Sequence, residues 1–335
     1  MKNFIFLSAF LGAIQFASAQ NTVVKWVGQF PAEQAAPAVD LFNAEHAAEL
    51  GFTVEYKYDE TVVADLLAGK AHPEYDLVHM KDAEMLNSLA KKSLSTPIAL
   101  DNKAVLPAHL KDANNNWIAV LKRARIIYYN SDLVADGEVK NYEDLSDAKF
   151  KDKLCLRQKK AQYNLGLYAF FLDVLGTEKT TSLLKAWADN TAGVPLLEKD
   201  LDEVIVKVAK GECAVGVANT YYYMRHLRAT PDSKVKAVIP NQNDIGAHVN
   251  IDGVALLKDA TQLDNAQIFA NWLLTEKAQL ALSKITDKFP ANPAVTSAPV
   301  VQAFGPFKEN QSFNLNRITE LKDEALKIAT EQGLK

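Results

Sequence analysis

Three consecutive tyrosines, Tyr221, Tyr222 and Tyr223, stand in the run Asn219-Thr220-Tyr221-Tyr222-Tyr223-Met224-Arg225. A phenolate oxygen is a hard anionic donor, the kind that hard, highly charged cations select. A free phenol titrates near pH ~10, so a bound metal must help to remove its proton. Three phenolates offset three positive charges, which favours Fe(III) over Ca(II) or Zn(II). Neighbouring tyrosines reach adjacent coordination positions only where the backbone turns, because strand neighbours point to opposite faces. The same triplet also fits an aromatic patch packed into a core or lining a sugar or polyamine pocket.

Other chemistry is hard to find. The chain contains no G-x-S-x-G, H-E-x-x-H, G-x-x-x-x-G-K-[ST] or G-x-G-x-x-G pattern. His46, His72, His79, His109, His226 and His248 fall into no metal-ligand spacing, and the two cysteines, Cys155 and Cys213, form no C-x-x-C. No carboxylate–histidine pairing marks an acid–base site, so a binding protein is expected rather than an enzyme. A formal charge of −4 gives no basic footprint for a nucleic-acid partner.

The elements that must position the triplet alternate between strand-like and helix-like patterns, which predicts an α/β fold. Cys213 to Ala218 is small and apolar on both faces, as a doubly covered central strand requires. The tyrosines follow it where a strand hands over to a helix, and ligands of open α/β sheets gather at such carboxyl ends. Helices are expected over Glu60–Lys70, Met85–Ala90, Leu165–Leu175 and Leu201–Lys210, with strands over Arg123–Asn130 and Leu154–Arg157. The length suits two core-forming units, and no low-complexity linker separates them.

The N-terminus sets the compartment. Met1-Lys2-Asn3 is followed by an apolar run from Phe4 to Phe16 and by Ala17-Ser18-Ala19, the pattern of a signal peptide over residues 1–19 cleaved after Ala19. The expected product is exported and soluble, in a compartment where an even pair of cysteines tends to be bridged. Two buried free thiols are the alternative reading of that pair.

Several further runs carry a family likeness. They are Lys122 to Asn130; Tyr142-Glu143-Asp144-Leu145; Cys155-Leu156-Arg157 with Tyr163-Asn164; Gly211-Glu212-Cys213 before Asn219-Thr220-Tyr221-Tyr222; Pro240-Asn241-Gln242; His248-Val249-Asn250-Ile251; and Phe289-Pro290-Ala291-Asn292-Pro293. Through them the chain resembles the periplasmic ferric-ion-binding proteins of iron ABC transporters, in their tyrosine-rich branch, over nearly its whole length. The resemblance implies a two-lobed type II binding fold with the cleft between lobes joined by crossing strands. It implies Fe(III) as transported ligand, with no catalytic cofactor, held by Tyr163, Tyr221 and Tyr222. It makes Tyr223 a bystander, places Arg123, Arg125 and Arg225 as cations behind the phenolates, and implies a Cys155–Cys213 disulfide. One departure stands out: Phe30 lies where family members present a histidine from the opposite lobe, leaving water, an anion, Gln29 or Glu33 to complete the site.

The expected division is 20–122 plus 250–303 as one lobe and 123–249 plus 304–335 as the other, crossed by Arg123–Asn130 and Val235–Asn241. A monomer is expected to close around ferric iron and dock on an inner-membrane ABC permease with its ATPase. The competing reading keeps the fold and changes the solute to a polyamine, a thiamine-like molecule or an oxyanion, with the tyrosines as walls.

Overall fold

The computed structural model describes residues 22–101, 106–296, 298, 302 and 304–335, so the signal-peptide reading of residues 1–19 lies outside the described residues. The elements in chain order are β1 (Thr22–Gly28), α1 (Ala32–Leu50), β2 (Phe52–Tyr58), α2 (Glu60–Ala68), β3 (Leu77–Met80), α3 (Ala83–Lys91) and β4 (Ser95–Thr96). A long β5 (Ile118–Asn130) leads to β6 (Leu154–Cys155), α4 (Gln162–Leu175), α5 (Thr177–Thr191), a wide π-type turn at Asp200–Ile205, α6 (Val206–Ala209), β7 (Val215–Asn219), α7 (Thr220–Ala229) and β8 (Val235–Val238). Then come β9 (Val249–Leu257), α8 (Leu263–Trp272), α9 (Glu276–Thr286), β10 (Phe289–Pro290) and α10 (Ile318–Glu331).

Local chemistry sets several of these boundaries. Asp59 caps α2 by accepting from the Thr61 and Val62 amides, and Gly69 ends it at φ 95°. Asp82 caps α3 through the Glu84 amide. β7 is buried along its whole length, as its two-faced apolar run requires. α4 starts at Gln162, not Leu165, because Ala161 already leaves the helix as its cap. Tyr163 therefore stands in a first helical turn.

The sheet divides in two at one strand. In the first half, β1 runs parallel to β2 and β3, and β9 runs antiparallel to β3 and to the start of β5. In the second, the end of β5 pairs antiparallel with β7 and β8, and β6 runs parallel to β7. The exchange falls between Ala124, opposite Val249, and Arg125, opposite Asn219. These are the two α/β lobes, and β5 belongs to both. The return crossing lies elsewhere than expected. Val235–Val238 pairs wholly with the second half of β5, and the chain re-enters the first sheet only at Val249.

One buried cluster packs Trp26, Phe42, Phe52 and Phe269 between the first sheet and α1 and α8. A second runs unbroken from Leu66 and Leu86, past Ile126 and Tyr128, to Phe170, Phe171 and Trp187. It includes Ile318, Ala325 and Ile328 of α10, which packs on both α4 and α3. Asn87 of α3 ties the same region together, donating to the Leu315 carbonyl at 2.9 Å and accepting from Trp117 Nε1 at 2.7 Å.

Cys155 and Cys213 are joined by a disulfide that closes a 58-residue separation and pins β6 beside the entry to β7. Constraining an unfolded loop of that length stabilises the native chain by about 4 kcal/mol in the entropic model. The double substitution Cys155→Ala/Cys213→Ala should therefore lower the unfolding free energy by about 2–4 kcal/mol. A fall in the urea midpoint, with a slope that steepens as the uncrosslinked unfolded chain expands, is the expected reading; an unmoved midpoint contradicts it.

Candidate metal centre

α4 and α7 both begin at the same cavity. Tyr163 is the second residue of α4, and Tyr221 and Tyr222 are the second and third of α7. Helical neighbours are turned by about 100°, so the bend that a strand cannot supply is provided by the first turn of α7. All three side chains line one cavity of about 210 Å³. The Tyr221 and Tyr222 rings lie 4.2 Å apart at 46°. Their hydroxyls interact, and the Tyr163 hydroxyl interacts with that of Tyr221. Tyr223 turns away: its hydroxyl donates to the Val235 carbonyl and its ring packs on Tyr128 and Phe304.

Asn219 caps α7 without the usual side-chain bond. Its amide instead donates to the Tyr221 hydroxyl at 3.3 Å, while its carbonyl accepts from the Tyr128 hydroxyl at 2.6 Å. The strand–helix junction thus gives up a capping bond to orient a cavity side chain.

The three arginines stand at different depths. Arg123 lies with its guanidinium 4.9 Å from the Tyr163 ring centre. It donates to the Lys81 carbonyl at 2.7 Å and reaches Asp82 and Asp252 at 3.5 Å. Arg225 sits 4.9 Å from the Tyr221 ring and 5.9 Å from that of Tyr222. Arg125 is one layer back, bonded to Asn164 at 2.6 Å and to Asp200 at 3.3 Å. It acts on Tyr222 at longer range, as does Arg157, which shares Asp200.

The facing wall is built by the first sheet and its loops. Gln29, Phe30, Pro31, Gln34, Lys81, Asp252 and Lys288 line it; Glu33 is not among the lining residues. Phe30 is stacked on His79 at 3.5 Å and 13°, so a histidine is present on this side but fully buried behind the phenylalanine. Gly28 permits that stack, because a Cβ there would come within 2.5 Å of the His79 carbonyl. Lys288 binds Asp252 at 2.7 Å and holds its ammonium 5.2 Å from the Tyr221 ring. Lys81, Asp252, Lys288 and His79 escape a sequence reading because each is an isolated residue in an ordinary run; only the β3–β9 and β10–β5 pairings bring them together.

Burial governs the titrations. It pushes Tyr163 up to about 12 despite the opposing pull of Arg123. It lifts Tyr221 well above the ordinary value, helped by Tyr163 and Tyr222, and raises Tyr222, helped by Asp200. Before a cation binds, the phenols are therefore neutral. Burial takes His79 down to about 4, leaving it uncharged, and Lys288 down to about 8 against the attraction of Asp252. Burial disfavours the Asp252 carboxylate, yet Lys288, His79 and Arg123 together hold it well below the usual range. Among the described residues, no group of three or more His, Cys, Asp and Glu side chains could hold a metal.

Residues 37–308 match the model of the bacterial extracellular solute-binding protein family. Iron uptake protein A1 of Synechocystis is 30% identical over 87% of this chain and 83% of its own length. The major ferric iron-binding protein of Neisseria meningitidis is 22% identical over 81% of this chain and 83% of its own. Trichodesmium FutA, solved with iron and citrate ligands, superposes with a TM-score of 0.85 at 27% identity, covering 93% of this chain and all of that one. The Campylobacter jejuni ferric binding protein gives 0.79 at 27% identity with the same coverage. With a family model matched over most of its length and a 30% identical relative spanning nearly all of it, the chain belongs to the bacterial extracellular solute-binding proteins.

Proposed function

We propose that this protein captures Fe(III) in the periplasm through Tyr163, Tyr221 and Tyr222 and hands it to an ABC-type importer of the inner membrane. The observation that carries this reading is the convergence of three phenols, one buried and two partly buried, from the first turns of two helices, on one cavity. Helix N-termini and the guanidinium groups of Arg123 and Arg225 favour the ionised phenolates once a cation displaces their protons. The similarity to proteins named for iron uptake and ferric binding supports the same cargo.

The tyrosines stand on elements of the second sheet, whereas Phe30, Lys81, Asp252 and Lys288 stand on the first sheet and its loops. Lobes of 20–122 plus 250–303 and 123–249 plus 304–335, closing about β5 and the return near Val249, would bring those walls together around the cargo. Capture and release need no reaction on the ligand, and a monomer docking on the permease with its ATPase completes the cycle. A polyamine or thiamine-like cation suits the cavity poorly, since it would face Lys81, Lys288 and Arg225.

Ferric titration should produce an orange to salmon-pink phenolate-to-iron band, and Tyr222→Phe should shift that band and weaken binding by about 100-fold or more, since even outer-shell losses cost ~10–100-fold. A protein that stays colourless after ferric loading sinks the assignment.

Binding should also depend steeply on pH. The phenols hold their protons across neutral pH, since every shift raises them. Acid therefore weakens binding and alkali strengthens it. Loss of about three protons per iron gives up to about a thousandfold in affinity per pH unit. Competition against a chelator, corrected for that chelator's own protonation, measures the slope. A flat profile between pH ~6 and ~8 contradicts tyrosine ligation.

A further inference from the structure

We propose that Asp287 and Arg228 form a latch between the two lobes, and that this ion pair, outside the cavity lining, sets how long the cargo is retained. The inference rests on the closure reading above and names the residues that hold the closed form.

α7 carries Tyr221, Arg225 and Arg228 at spacings of four and three residues, so their side chains share one helical face. That face meets two consecutive residues of the other lobe. Lys288 holds its ammonium 5.2 Å from the Tyr221 ring. Asp287 takes both terminal nitrogens of Arg228: Nη1 donates to Oδ1 at 2.8 Å, and Nη2 donates to Oδ2. Arg225 Nε reaches the same Oδ2 at 3.8 Å. Asp287 ends α9, and β10, which begins two residues later, pairs with Lys122 and Leu121 in the first sheet. α7 follows β7 of the second sheet. The contact therefore spans the lobes.

The turn after α9 aims the aspartate. Asp287 stands at φ 61°, in the left-handed region, with its amide donating to the Ser283 carbonyl. Ser283 Oγ donates in turn to the Lys288 carbonyl at 2.6 Å. Asp287 thus faces α7, while Lys288 turns back to Asp252 at 2.7 Å. A bidentate guanidinium–carboxylate pair is stronger and more directional than a single ionic bond. The Asp287 side chain is 2% exposed and that of Arg228 54%. The cation stays partly hydrated, so the pair forms at little desolvation cost and can part into water as the lobes open.

Its position distinguishes this pair from other polar bonds between the lobes. Asn87 with Leu315 and Glu84 with Lys322 tie α3 to α10 and the residues just before it. Lys122 with Glu309 lies beside the bridge between Ala247 and Glu309. The Arg228–Asp287 pair stands at the cavity itself, since Arg225, one helical turn away, and Lys288, the next residue, both line it. A contact that favours the closed form slows release by the factor by which it favours closure.

The test compares the full mature protein with Arg228→Gln, Arg228→Lys and Asp287→Asn, the last keeping a residue that tolerates left-handed backbone. Ferric-loaded protein is mixed with excess chelator and the decay of the coloured band is timed. Spin labels at exposed Glu49 of α1 and Lys179 of α5 report the separation of the lobes. Arg228→Gln should keep the wavelength of the band, speed release by about 5–30-fold and populate longer label distances. Asp287→Asn should do the same, and Arg228→Lys should recover only part of the retention. Raising salt from ~0.05 to ~0.5 M should speed release from the wild type and barely change it in Arg228→Gln. Release and distances unchanged in Arg228→Gln, or faster release with the salt response of the wild type, overturn the latch and leave ferric capture standing. A protein colourless after ferric loading overturns the ferric reading. Label distances that then differ between Arg228→Gln and the wild type still support the latch, and identical distances overturn it as well.

Discussion

A buried guanidinium needs anions around it, and Arg123 finds them on elements far apart in the chain. Its charge is taken up by Asp82 at the start of α3 and by Asp252 in the middle of β9, with the Lys81 carbonyl as a third acceptor. Removing one partner from such a buried set leaves an uncompensated charge and costs several kcal/mol, about 3–5. The cluster therefore locks β5, β9 and the β3–α3 turn into one arrangement. Two residues on, Arg125 repeats the device on the other lobe, tied to Asp200 and Asn164. The strand changes sheets between these two arginines. Each lobe is thus anchored to the shared strand by its own buried cation, and any opening motion must leave both sets of bonds intact or exchange them for water.

The same constraint shapes the cavity. Lys288 adds a second buried cation to the Asp252 carboxylate, so one anion serves two positive groups and leans on neutral His79 as well. Phe30 covers that histidine and removes it from the cavity surface. The facing wall consequently sets one committed carboxylate among cations and apolar side chains, while the tyrosine wall gains negative charge only when its protons leave. Function follows from that asymmetry more than from any single side chain.

The α/β pattern and the tyrosine triplet were legible in the sequence because both are local. A small apolar run followed at once by Asn219-Thr220-Tyr221 is a strand meeting a helix whatever surrounds it. Tyr163 was reachable only through family likeness, since its helix was read as starting at Leu165. The second crossing was misplaced for a related reason: Val235–Val238 has the apolar character of any paired strand, and nothing in it tells which sheet it joins. Asp252, Lys288 and Lys81 left no trace at all. An aspartate before a glycine and a lysine before Phe289-Pro290 are unremarkable until strand pairing sets them together, and pairing across more than a hundred residues is not a local property.

In the proposed ferric site, neutral phenols would make a selective gate of this asymmetry. At pH 7, ionising three tyrosines of ordinary pKa costs on the order of 12 kcal/mol, and burial adds to that. A divalent cation gains less from each phenolate than a trivalent one and gathers surplus negative charge if it binds all three. The elevated pKa values thus penalise weakly charged ions twice, once in proton removal and once in charge balance. Carboxylates in the same places would already be ionised at neutral pH and would admit calcium or zinc as readily. Burial, which raises the cost of using tyrosine, is what lets tyrosine discriminate. The cations behind the rings then lower that cost only at the end of the process, when a charge large enough to displace the protons has arrived.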